Sequence, residues 1–286
     1  MQSLKIIRRR IHSVRNTQKV TKAMKLVAAA RLRRAQRTAL AARSYTGELF
    51  EMIKRISRRA GPMAPPIMRR RKEIKNLDVL VFTSDRGLCG GFNENLLITV
   101  LDGIEQHISH GIGVNLFVIG KKGWLYLKKR YPSFEKIVCL NDESGRAFAE
   151  RLTDMFIQRF LTNISDGAFL ALNRFYSASQ QKAVFWNFLP LHWRGFTPDR
   201  LLDYLYEPER DQMRAALTRH VLVRSIEQAM LESKAAELAA RMIAMDSATK
   251  NAQEMISSLT LEYHKARQSA ITAELLDIVG GAEALK

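Results

Sequence analysis

From Asp211 to Val279 the chain contains nothing that would stop a helix. No proline follows Pro208, and no glycine intervenes before Gly280. Within this run an apolar or small residue returns every three or four positions. The series is Leu231, Ala235, Leu238, Met242, Met245, then polar Thr249, then Ala252, Ile256, Leu259, Tyr263, Ala266, Ala270 and Ala273. A sustained 3.5-residue repeat without breakers predicts a coiled-coil strand. At 1.5 Å per residue such a helix would be roughly 100 Å long, several times the width of an ordinary domain. A rod of that length needs partners along its sides.

The other end of the chain supplies one. A helix is predicted from Ser3, as N-cap, to about Arg59. Its 3-4 series runs Leu4, Ile7, Ile11, Val14, then polar Gln18, Thr21 and Lys25, then Ala28, Leu32, Ala35, Ala39, Ala42, Leu49, Ile53 and Ile56. At the polar lapse Met24, Leu26 and Val27 are present but off register. The apolar stripe is therefore expected to shift there, or the helix to touch something else. Both terminal runs are rich in alanine, small enough for close helix approach, so they most simply pair as an antiparallel coiled coil. That assigns residues 1–60 and 209–286 to the coil.

Between them the pattern changes. Residues 61–72 hold Gly61, Pro62, Pro65 and Pro66 and then four basic residues, Arg69 to Lys72, which reads as a linker. Over 73–208, short apolar runs alternate with helical stretches. Strands are predicted at Leu77–Thr83, Val114–Ile119, Ile137–Leu140, Phe169–Tyr176 and Ala183–Leu189. Helices are predicted at Asn93–Ser109, Lys121–Tyr131 and Glu143–Leu161. The first strand is almost continuously apolar, as in a parallel sheet buried on both faces. The expected fold is α/β with long helices: an antiparallel coiled coil carrying an inserted Rossmann-like, mostly parallel α/β domain.

The formal net charge of +18 is not evenly spread. Residues 1–72 hold 21 Lys/Arg against Glu48 and Glu51, whereas the remainder is balanced to within one charge. Such a concentration is either a solvated face or an electrostatic match to an acidic surface. A DNA-reading basic helix fits poorly, because the apolar repeat runs through the basic segment instead of beginning after it. No nucleic-acid partner is expected. Cys89 and Cys139 are the only cysteines, which argues against a disulfide framework and for a reducing compartment. No apolar run approaches the roughly 20 residues needed to cross a bilayer, and arginines interrupt any secretory signal at the N-terminus.

Chemistry is sparse. Gly87, Gly90 and Gly91 lie between a strand and a helix, where phosphate-binding loops sit. Neither GxGxxG nor GxxxxGK[ST] is present, however, and tight turning alone accounts for the glycines. Asp85 and Arg86 lack neighbours that would complete a nucleophile–base arrangement. Cys89 reads as a small buried hydrophobe. The six histidines show no metal-ligand pattern. Glu274 and Asp277, three apart on one helix face, read as hydrated surface. No cofactor, metal or catalytic residue is expected.

Three separated strings carry a resemblance. The first runs from Ile11 through Lys19, Lys22 and Met24 to Arg31, Arg33, Arg34 and Gln36. The second is Thr83-Ser84-Asp85-Arg86-Gly87-Leu88-Cys89-Gly90-Gly91-Phe92-Asn93. The third includes Ala266-Arg267-Gln268, Ile271-Thr272-Ala273-Glu274-Leu275 and Asp277 to Ala282. Together they resemble the gamma subunits of F-type (F1Fo) ATP synthases, across essentially the whole chain. The resemblance implies a non-catalytic central rotor stalk whose coil threads the alpha3beta3 ring, with an α/β foot against the epsilon subunit and the membrane c-ring. It implies rotor–stator contacts at Lys19, Lys22, Met24, Arg31, Arg33, Arg34, Arg267, Gln268, Thr272 and Glu274. It also implies a foot-domain motif at Asp85, Arg86, Gly87, Cys89, Gly90, Gly91 and Asn93. The region Gly195–Met213 lacks the inserted cysteine pair of chloroplast relatives, and no transit peptide precedes the first helix. Both features favour a peripheral protein at the cytoplasmic face of a bacterial plasma membrane. A basic coiled-coil adaptor unrelated to the synthase is the alternative, and an α/β nucleotide enzyme with helical arms a weaker one.

Overall fold

In a computed structural model the described residues are 4–58, 65–130, 137–140, 145–191, 207 and 209–283. The elements, in order, are α1 (Leu4–Arg58), β1 (Asn76–Phe82), α2 (Phe92–Ser109), β2 (Gly113–Ile119), α3 (Lys121–Arg130), β3 (Ile137–Leu140), α4 (Arg146–Leu161), β4 (Gly167–Phe175), β5 (Gln181–Leu189) and α5 (Arg210–Glu283). Two compact units result. One combines Met1–Ala29 with Arg241–Lys286, and the other is Ala30–Ala240.

The first unit is an antiparallel helix pair. As residue number rises along α1 it falls along α5: Gln18 meets Gln253, Thr21 meets Thr249, and Lys25 meets Asp246. The 3-4 stripes face each other, with Ile7, Ala28, Met245, Ala252 and Ile256 buried. At the polar lapse the stripe does not shift. Gln18, Thr21 and Lys25 keep their register, and the off-register Leu26 and Val27 are exposed. The polar residues pair across the seam with polar residues of α5. Beyond Ala270 every side chain described on α5 is exposed, including Ile271, Leu275, Leu276, Ile278 and Val279.

The second unit is built on a five-stranded sheet of order β3-β2-β1-β4-β5. β1 runs parallel to β2 and β4, β2 runs parallel to β3, and only β5 is antiparallel, paired with β4. Alternation within the strands divides the core between two faces. Leu80, Phe82, Phe117, Ile119, Leu170 and Leu172 point to the side covered by α4 and by Leu49 and Ile53 of α1 with Val221, Leu222, Ile226 and Ala229 of α5. Val79, Val81, Leu116, Val118 and Ala171 point to the side covered by α2 and α3. Because both faces are covered, β1 needs no polar face, which is why its sequence is nearly unbroken in apolarity.

The strand opens on half-buried Asn76, and its one buried exception is Asp78, which is fully buried. Arg159 at the end of α4 donates to both of its carboxylate oxygens, at 2.6 and 2.9 Å, and Asn115 of β2 donates to one at 2.7 Å. A buried carboxylate is tolerated only with such partners.

The linker reading is partly accessible. Gly61 and Pro62 lie outside the described residues, while Pro66–Met68 form a 3-10 turn whose Ile67 and Met68 are buried. Most of the region Gly195–Met213 also lies outside the described residues, as does the predicted start of α4 at Glu143.

Candidate functional site

Several polar groups of the glycine loop are engaged within the loop and with the start of α3. The Ser84 N–H donates to Asn93 Oδ1 at 2.9 Å, and Asn93 Nδ2 donates to Ser84 Oγ at 2.8 Å. The Ser84 hydroxyl lies 2.9 Å from the Arg86 carbonyl. Asp85 accepts the Lys121 N–H at 2.9 Å, placing a carboxylate at the N-terminus of α3, where the helix dipole favours it. The Lys122 N–H donates to the Ser84 carbonyl at 3.1 Å. Cys89 is buried, with its sulfur 3.5 Å from Asn93 Nδ2. The loop thus latches the end of β1 to the starts of α2 and α3.

Two backbone positions fix its course. Gly120, at φ +99°, passes so close to Thr83 that an added Cβ would lie 2.3 Å from the Thr83 carbonyl oxygen. Leu88 adopts φ 64°, a left-handed conformation uncommon for a branched side chain, and its side chain is exposed. Of the motif residues, Asp85, Gly87 and Asn93 are half-buried, whereas Arg86, Gly90 and Gly91 are exposed. The structure brings these motif residues together where β1 ends and α2 and α3 begin.

The second candidate is the outer surface of the helices. Lys19, Lys22, Arg31, Arg33 and Arg34 are exposed on α1, and Met24 is half-buried beside the seam. Arg267, Gln268, Thr272 and Glu274 are exposed on α5, with the Thr272 hydroxyl donating back to the Gln268 carbonyl at 3.0 Å. Glu274 and Asp277 are both exposed, as a hydrated face requires. Among the described residues no group of three or more His, Cys, Asp or Glu side chains is placed to hold a metal. No helix built from them is long and apolar enough to cross a membrane.

Behind that surface lies a polar seam. Gln18 Nε2 donates to Gln253 Oε1 at 2.7 Å, Thr249 Oγ1 lies 2.8 Å from Thr21 Oγ1, and Lys25 Nζ lies 2.6 Å from Asp246 Oδ1. Hydrogen bonding from the Lys25 ammonium, with Lys250 beside it, holds the Asp246 carboxyl below its ordinary range. Polar pairs in a coiled-coil seam fix register at some cost in stability. Thr249 marked the seam on α5, and Gln18, Thr21 and Lys25 marked it on α1. What the linear sequence lacked was the alignment that sets the two groups opposite each other.

Comparisons with known proteins follow the whole chain. A family model described as ATP synthase matches residues 3–285. The chain is 42% identical to the "ATP synthase gamma chain" of Anaeromyxobacter sp. (strain K) and 41% identical to that of Geotalea daltonii, covering 100% of both chains in each case. The same fold occurs in a chain of the Euglena gracilis mitochondrial ATP synthase (OSCP/F1/c-ring, rotational state 3). That match has a TM-score of 0.67 at 19% identity, covering 99% of this chain and 94% of that one. A chain of the Tetrahymena thermophila mitochondrial ATP synthase central stalk/c-ring matches with a TM-score of 0.59 at 22% identity, covering 80% and 99%. The end-to-end identity, together with long terminal helices flanking an inserted sheet, places this chain in the ATP synthase gamma-chain family.

Proposed function

We propose that the chain is the central rotor shaft of an F-type ATP synthase, coupling rotation of a membrane c-ring to conformational change at the alpha and beta subunits. The observation that carries this reading is the full-length match to gamma chains at 42% identity. In this role the chain catalyses nothing. Its rotation presents different sides of the helix pair to three catalytic sites in turn, imposing the states that bind and interconvert ADP, phosphate and ATP. Hydrolysis drives the reverse rotation.

The residue assignments belong to the same proposal. Lys19, Lys22, Met24, Arg31, Arg33 and Arg34 meet loops of the alpha3beta3 ring, and Arg267, Gln268, Thr272 and Glu274 form the upper contacts. The charge excess of residues 1–72 supports this, because a basic shaft is attracted to acidic loops of the catalytic subunits. Functionally the chain divides into coil segments 1–60 and 209–286, a linker at 61–72 and a foot at 73–208. The foot, including the Asp85–Asn93 loop, meets the epsilon subunit and the c-ring. The location is peripheral, at the cytoplasmic face of a bacterial plasma membrane.

The test is reconstitution of the alpha, beta, epsilon and membrane components with and without this chain. Ion-driven ATP synthesis should require it, and the purified chain alone should have negligible ATPase activity. Synthesis at the full rate from complexes lacking the chain overturns the assignment.

A further inference from the structure

We propose that Arg43 and Glu232 are positioning residues for torque transmission, clamping the end of strand β4 to both long helices. The inference rests on the rotor reading above. It begins with how the sheet is held. Between the sheet and the two long helices much of the packing is apolar, through residues such as Leu49, Ile53, Leu222, Ile226 and Ala229. Apolar burial is non-directional, so it resists separation better than it resists sliding.

At Phe175, the last residue of β4, the contact is of another kind. Arg43 of α1 donates from Nε to Glu232 Oε1 at 2.8 Å and from Nη2 to Glu232 Oε2 at 2.9 Å. Arg43 Nη2 also donates to the Phe175 carbonyl at 2.8 Å, and the Phe175 N–H donates to Glu232 Oε2 at 3.1 Å. Both main-chain polar groups of the strand's last residue are thus bound by one ion pair, whose two members come from different helices. The Glu232 side chain has no exposed surface, and that of Arg43 is 30% exposed. On the next residue of α5, the Ser233 hydroxyl lies 3.5 Å from the Phe82 carbonyl at the end of β1. One turn of α5 therefore meets the C-terminal ends of two adjacent parallel strands.

The Phe175 N–H and carbonyl need polar partners here, but stability alone does not require those partners to be charged. A buried pair is often no more stabilising than apolar side chains of the same volume. What it supplies is direction, because a bidentate Arg–carboxylate fork tolerates little lateral displacement. In a rotor, a tangential load between the sheet and the helices acts along the direction in which apolar packing yields. The clamp stands at that junction.

The experiment uses the complete reconstituted synthase and reads ion pumping per ATP hydrolysed. Arg43→Gln/Glu232→Gln removes both charges and the fork while keeping side chains that can hydrogen-bond the Phe175 main chain. It should assemble and keep ATP hydrolysis near the wild-type rate, while pumping per ATP falls about threefold or more, a change of the size that substitutions between two coupled sites make in the coupling between them. Arg43→Lys keeps the charge but loses the fork. It should fall between the double variant and wild type, and it carries the test if the double variant does not assemble. An unchanged pumping ratio in the assembled variants overturns the proposal. So does a proportional fall of hydrolysis and pumping together, which marks a purely structural role. Complexes lacking the chain are run in parallel. If they pump, the rotor reading itself fails; if they do not while the variants pump normally, only the clamp fails.

Discussion

His220 shows how an individual residue's titration follows from its packing. Its Nε2 lies 3.1 Å from the Tyr45 hydroxyl, and the two rings meet edge to face at 6.2 Å. Burial lowers its pKa from the ordinary 6.5, the charges of Arg224 and Arg146 lower it further, and Glu227 opposes them. The unfolded chain therefore takes up this proton at higher pH than the folded chain does. Between 6.5 and the lower folded value, the unfolded state binds more protons and stability falls as pH falls. Well above 6.5 the residue is neutral in both states and contributes no slope. His220→Gln, which can still hydrogen-bond Tyr45, should flatten the acid-side decline in melting temperature. Melting curves taken from pH 8 downward check this, and parallel profiles for the two proteins would exclude His220 as the source.

At the scale of elements, the antiparallel pair is held by two stripes whose polar layers coincide. The Thr21 hydroxyl donates to the Gln18 carbonyl at 3.0 Å, so the Thr21–Thr249 contact is one link of a short chain along the seam. Such layers are satisfied only in one alignment, whereas alanine and leucine layers accept neighbouring alignments nearly as well. Replacing Thr21 and Thr249 by Val, together with Gln18 and Gln253 by Leu, should raise the melting temperature, by roughly 2–4 °C per kcal/mol gained in a chain of this size. The same change should loosen register, seen as cysteine cross-links one heptad away from the native pairs. A lower melting temperature with an unchanged cross-linking pattern would show that the layers contribute stability and not alignment. In the assembled rotor, a more uniformly apolar coil is also expected to turn more slowly.

At the scale of the whole molecule, the charge distribution separates what folds the chain from what it meets. Arg33 and Arg34 are exposed, and exposed substitutions away from caps and cores usually change stability by less than about 0.5 kcal/mol. Arg33→Glu/Arg34→Glu should therefore leave the melting temperature of the isolated chain almost unchanged. In the reconstituted complex it should reduce turnover or coupling severalfold, because it reverses the attraction expected at the acidic loops of the ring. Parallel calorimetry and turnover assays distinguish the two effects. Wild-type turnover in the assembled variant would remove these arginines from the contact surface.

Sequence alone determined which segments became helices, which became strands and which faces were apolar, because those follow from local period. The 3.5-residue repeat of Leu231–Ala273 and the unbroken apolar run of β1 are legible within windows of a few residues. The exposed basic surface of α1 was legible for the same reason, since on a helix that buries one stripe the remaining positions face outward. Tertiary structure decided the alignments between distant segments. Gln18 finds Gln253, Arg43 finds Glu232 and Asp78 finds Arg159, across separations of 235, 189 and 81 residues. Each is a specific, directional contact between groups that are unremarkable in their own neighbourhoods. Periodicity sets which side of an element is buried, but not how far one element slides along another. The long C-terminal helix was evident from its lack of breakers, whereas the residue of it that grips the sheet was not.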